Sequence, residues 1–131
     1  MRRVLAVFVL GCTLLAGPAM IFGSQPVVIT AEDLLKAATD NPSAAEAQYL
    51  NKTVQVKGIV VSKGISRYLT PNVVLSNREG GPELVICVLP RLDAGKLSDF
   101  EPGQSVTFSG RVHRLSAQRV IMKECKATTN N

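Results

Sequence analysis

The chain has 131 residues and a formal charge of +5, with no tryptophan, four phenylalanines and two tyrosines. That length fits a single domain whose core must be aliphatic, drawn mostly from Val, Leu and Ile. Arg2 and Arg3 lie in an N-terminal leader, and the remaining 13 basic and 10 acidic side chains are spread without a run of like charge. Such a balance is ordinary for a soluble domain and is only weak evidence for a polyanionic partner.

Met1-Arg2-Arg3 is a short basic segment, and Val4 to Phe22 is an almost unbroken apolar stretch without a charge. This is the anatomy of a secretory signal peptide. Gly17-Pro18-Ala19 puts small residues where a signal peptidase reads, which predicts cleavage after Ala19. Two alternatives stand beside it. The stretch approaches the ~20 residues that span a bilayer, so it could remain as an anchor. Val9-Leu10-Gly11-Cys12 resembles a lipobox, although Leu10 is bulky where a small residue is usual. Each alternative makes residues 1–23 a leader and places the domain in the periplasm or on the cell envelope.

Residues 24–29 read as an extended lead-in to a domain over 30–126. Thr30-Ala31-Glu32-Asp33 starts a helix, with Thr30 as N-cap and acidic residues in the first turn, where the helix dipole favours them. Leu34, Leu35 and Ala38 give it one apolar side, and Asn41-Pro42 stops it. Ser43 to Leu50 reads as a second short helix capped by Ser43, the pair forming a lid on the sheet. The first strand is Thr53 to Ser62, with Val54, Val56, Gly58 and Val60 on one face and Gln55 and Lys57 on the other. The pattern returns around Val106, Phe108, Gly110 and Val112. Glycine at the same place in two strands marks a bulge or bend, so Gly58 and Gly110 are candidate barrel-bending residues.

Lys63 to Ser66 reads as a turn, and Tyr68 to Ser76 as the second strand, with a bulge or edge at Pro71. Asn77 to Pro82 is dense in turn-forming residues. Glu83 to Leu89 is the third strand. Pro90 to Phe100 holds a short helix bearing Leu92, Leu97 and Phe100. Ser105 to Leu115 and Arg119 to Cys125 are the fourth and fifth strands, joined by a tight hairpin at Ser116-Ala117-Gln118. Residues 127–131 read as a disordered tail. The fold class is therefore mainly β. Three strands, a helix and two strands are the chain order of a five-stranded Greek-key OB barrel, here with an N-terminal helical segment.

The stretch Ile29 to Lys126 resembles the tRNA_anti-like family of exported bacterial OB-fold proteins. The matching residues are Ile29-Thr30-Ala31-Glu32-Asp33-Leu34, Asn41, Ala44, Tyr49, Val56-Lys57-Gly58-Ile59-Val60, Cys87, Phe100-Glu101-Pro102-Gly103-Gln104-Ser105-Val106, Gly110 and Met122-Lys123-Glu124-Cys125. The resemblance implies an exported binding or scaffolding module of mostly unassigned function, not an enzyme. Third and fifth strands are neighbours in OB barrels, so the resemblance also makes Cys87 and Cys125 a candidate disulfide, with two separately buried thiols as the alternative.

Chemistry-bearing residues are few. Lys57, Lys63, Arg67, Tyr68, Arg111 and His113, with Arg114 and Arg119 nearby, are a candidate ligand face. Nucleic-acid-binding OB folds add stacking aromatics to such cations, and Tyr68 alone qualifies. His113, the sole histidine, lacks any motif that would attach haem. Two cysteines of the domain and one remote histidine do not make a metal site. No cofactor, carboxylate pair, nucleophile–base pair or phosphate loop is expected. The expected partner is an envelope protein or small ligand, with single-stranded nucleic acid as the alternative, and membrane contact is expected only through the leader.

Overall fold

The computed structural model describes residues 28–128. Expectations about cleavage, anchoring and Cys12 fall outside those residues. Six strands form one sheet in the order β1-β2-β3-β4-β6-β5, closed by a further β2–β5 pairing. The strands are β1 (Val28–Thr30), β2 (Thr53–Ile65), β3 (Pro71–Ser76), β4 (Val85–Val88), β5 (Ser105–Leu115) and β6 (Val120–Ala127). β2 to β6 make the closed OB barrel. β4 and β6 run parallel, and the other barrel pairs are antiparallel.

The lead-in does more than approach the domain. Val28–Thr30 adds a short parallel strand to β2, with Val28 opposite Gln55 and Thr30 opposite Lys57. α1 (Ala31–Asp40) then starts as the sequence requires, the Asp33 N–H donating to Thr30 Oγ1 at 3.0 Å. Its apolar side carries Ala31, Leu34 and Ala38, all buried, and the first two enter the barrel core. α2 (Pro42–Tyr49) is capped by Asn41, whose Oδ1 accepts from the Ala44 N–H at 3.2 Å, and not by Ser43. Pro42 explains the difference. A proline that ends one helix is also well suited to the first position of the next, where its missing N–H costs nothing.

The barrel interior is aliphatic around one fully buried ring. Phe108 packs against Phe100 with ring centroids 5.1 Å apart, surrounded by Val56, Val60, Val73, Leu75, Val85, Val112, Val120 and Met122. A 3-10 helix (Arg91–Asp99) covers one end, with Leu97 half-buried. Leu92 does not share in this, being 98% exposed.

Two boundaries differ from the sequence expectation for one reason. A register shift between Val60 and Ser62 lets β2 continue as a strand to Ile65. The turn therefore moves to Ser66–Thr70, and β3 begins at Pro71, which needs no ladder donor there. At the other terminus β6 runs through Ala127, and Thr128 still donates its N–H to the Thr107 carbonyl at 2.8 Å. No helix among the described residues is long and apolar enough to cross a membrane.

Candidate functional site

The six residues expected on one ligand face divide among four places. Lys57 is exposed on β2, opposite Thr107. Arg111 sits four residues along β5 from Thr107, roughly 13 Å at strand spacing. Lys63 leaves the face altogether. The β2 bulge puts it opposite core residue Val73, and its ammonium donates to the Leu97 carbonyl at 2.9 Å and meets Glu101 at 3.4 Å. Lys63 thus closes the last turn of the 3-10 helix. Arg67 and Tyr68 are exposed together in the β2–β3 turn.

Arg111 and His113 do come together, in company the sequence reading did not include. Arg111 lies directly opposite Lys123 on β6, and a second register shift, between Val112 and Arg114, makes His113 the extra residue of a bulge. His113 is pulled below its ordinary pKa by Lys123 first, then by partial desolvation, then by Arg111 and Arg114. The field of three cations therefore converges on one imidazole, which is neutral at pH 7. The folded chain binds that proton less readily than the unfolded chain, so the contribution to stability is full above about pH 6.5 and falls as the pH drops below it. Glu124 offsets part of the charge, its Oε1 lying 3.3 Å from Arg111 Nε. Like charges opposite one another weaken a sheet, so Arg111 facing Lys123 adds no cross-strand stability of its own.

Beside the cluster, the outer surface of the barrel is apolar. Cross-strand register lines up Ser62, Val74, Ile86, Ile121 and Arg114 across β2, β3, β4, β6 and β5. Val74 is shielded by its neighbours but lies outside the core cluster, while Ile86 and Ile121 are half-buried. The strip ends in the cations of β5–β6. Alternation within β4 could have exposed this strip in the sequence, but the near-continuous apolar run Leu84 to Leu89 hid which residues face outward.

The two glycines are places of close approach. Both have φ outside the left-handed region. A Cβ on Gly58 would lie 3.0 Å from Leu75 Cβ and 3.1 Å from the Ser76 carbonyl, where the start of α1 comes down on the sheet. A register shift flanks Gly110, between Ser109 and Arg111, whereas the shift in β2 falls beyond Gly58. A Cβ on Gly110 would lie 2.8 Å from Cys125 Sγ. Cys125 reaches that space because Glu124 adopts φ 57 and turns the strand by one residue.

Cys87 and Cys125 are both fully buried, on neighbouring strands as expected, but they are free thiols here and not a disulfide. Burial, then a hydrogen bond with Cys125, pushes the Cys87 thiol well above its usual range. Such thiols are unreactive toward solvent reagents in the folded state. Beside α1, a hollow of about 230 Å³ is lined by Glu32, Lys57, Gly58 and Ser76. That is smaller than the ~300–1,000 Å³ of ligand pockets. No group of three or more His, Cys, Asp or Glu side chains poised for a metal occurs among the described residues.

Solved structures with the same fold include a Klebsiella pneumoniae lipoprotein proposed to bind nucleic acid, 18% identical, with a TM-score of 0.66 over 88% of this chain and 100% of that one. A proposed aspartyl-tRNA synthetase of Leishmania major matches with a TM-score of 0.51 and 11% identity, over 82% of this chain but 22% of its own. At those identities the likeness is one of fold. No curated protein matches the sequence. The tRNA_anti-like family model matches residues 11–126, nearly the whole barrel with the segment before it, and the chain belongs to that family.

Proposed function

We propose that this chain is an exported, non-catalytic OB-fold binding module of the bacterial cell envelope, and that it contacts its partner through the outer face of β3, β4 and β6. One observation carries this reading: half-buried Ile86 and Ile121 stand side by side on the outside of the barrel next to the shielded Val74, and the row ends at Arg114, one of three cations around the neutral His113. A surface that is apolar in its middle and cationic at its rim suits a partner that buries the former and pairs with the latter. Export is supported by the leader sequence, and the lipoprotein described above is compatible with it.

A photoreactive residue at Ile86 or Ile121, introduced in cells, tests the contact surface. The expected result is a discrete crosslinked product in the envelope fraction, absent when the probe replaces Lys36 on the exposed side of α1. Equal products from both positions, or none from either, would contradict it.

The second reading is single-stranded nucleic acid binding, favoured by the grouping of Arg111, His113, Arg114 and Lys123. It predicts an oligonucleotide affinity that falls steeply with salt as counterions are released. Tyr68 is the one well-exposed aromatic among the described residues, so stacking contributes little. Absence of binding at low salt removes this reading.

A further inference from the structure

Among the described residues, five large hydrophobic side chains are more than half exposed: Val28, Ile65, Tyr68, Leu69 and Leu92. Four of them share one end of the barrel. Ile65 ends β2 opposite Pro71, and Tyr68 and Leu69 occupy the turn between the two. The Pro71 carbonyl accepts the Leu89 N–H at 2.9 Å, and the chain then turns at Pro90 into the 3-10 helix. Arg91 and Leu92 are thereby set beside the β2–β3 turn, where Arg67 also lies.

The turn is a built feature. Ser66 donates its N–H to Thr70 and accepts the Leu69 N–H on its carbonyl, and its hydroxyl accepts the N–H groups of Tyr68 and Thr70. Leu69 is held at φ 61, a conformation that penalises a residue with a Cβ. The result presents leucine and tyrosine outward, 69% exposed each.

We propose that this tip docks on an anionic bilayer surface, with Tyr68, Leu69, Ile65 and Leu92 entering the headgroup–acyl boundary while Arg67 and Arg91 meet lipid phosphates. Three physical points select a bilayer. Side chains that project this far need a matching cavity in a folded partner, whereas acyl chains part around them. Both arginines are left out of the ion pairs of the described residues, which are Lys63–Glu101, Lys96–Asp93, Arg111–Glu124 and Arg119–Glu83. They are therefore available to phosphate, for which the guanidinium fork is well shaped. Finally, tyrosine is at home at a membrane interface, and its neighbours are aliphatic, which suits acyl chains better than bases.

This contact goes beyond the binding role proposed above and draws on none of the leader residues. Val28, the first described residue, sits at Gln55, ten residues back along β2 from Ile65. That separation is at most about 33 Å of strand.

The absence of tryptophan gives a direct test. The full chain carrying Tyr68→Trp is mixed with phosphatidylcholine vesicles with and without phosphatidylglycerol, prepared with ordinary or brominated acyl chains. The expected result is a blue-shifted emission quenched by brominated lipid, more strongly in the anionic vesicles. Arg67→Gln and Arg91→Gln should each weaken the anionic-vesicle signal about fivefold. Leu69→Ser should reduce the quenching while leaving the far-ultraviolet circular dichroism unchanged. A reporter at exposed Ala47 on α2 should stay unquenched in the same vesicles, which separates tip insertion from attachment through residues before Val28. An indole at position 68 that is neither shifted nor quenched by any vesicle in the folded protein would overturn the proposal. So would equal quenching at 68 and 47.

Discussion

Gly110 and Cys125 illustrate how a single missing methyl group sets a side chain's place. The Cβ of an alanine at 110 would stand 2.8 Å from Cys125 Sγ and 3.2 Å from the Lys123 carbonyl. The sulfur could shift only by disturbing a packed interior, so Gly110→Ala should cost about 1–3 kcal/mol. Cys125→Ala removes the sulfur and leaves a small void. The double substitution should cost about 0.5–1 kcal/mol less than the sum of the two, because the new methyl fills the vacated space. Urea unfolding of the four proteins measures this through the midpoints, and simple additivity would show that the two positions do not share a space. The sequence marked Gly110 as special by its place in an alternating strand. It could not say what fills the gap, because the Glu124 bulge that turns Cys125 inward leaves no local signal. His113 was legible in the same partial way. Its side of β5 followed from alternation, but Lys123, its strongest neighbour, comes from the facing strand.

At the scale of elements, the β2–β3 hairpin departs most from what its residues suggest. Gly64 and Ser66 invite a turn, yet the bulge after Val60 carries β2 to Ile65 and rotates Lys63 from the surface to the barrel end. A bulge depends on the partner strand, so one-strand periodicity does not reveal it. The helix starts were legible because capping is local, as at Thr30. The misplaced cap of α2 was an error about proline, not about the helix. Strain in the hairpin is concentrated at Leu69, with φ 61. Replacing it with asparagine or glycine should raise stability by roughly 0.5–1 kcal/mol, since both tolerate that conformation far better than leucine. A loss of stability in thermal or urea unfolding would mean that Leu69 packs in a way its exposure conceals. A gain in stability combined with weaker vesicle binding would identify the strain as the cost of presenting the side chain.

For the whole molecule, the fold was the most legible part. The five barrel strands, their order and the helix between the third and fourth of them followed from apolar periodicity and turn residues, because a closed aliphatic barrel leaves few arrangements of five such strands, whereas the sixth strand, Val28–Thr30, did not. The candidate site was much less so. Its cations and apolar strip are assembled by cross-strand register, and they lie in segments that look alike residue by residue. The site's meaning also depends on where the protein works. A leader that is cleaved or retained outside the cytoplasm favours protein and lipid surfaces, whereas a cytoplasmic chain would meet nucleic acid first.

The deciding measurement is therefore the intact mass of the protein from fractionated cells. The account predicts an envelope-fraction protein beginning near Met20. A full-length protein in the soluble cytoplasmic fraction would contradict it and make oligonucleotide binding the leading reading.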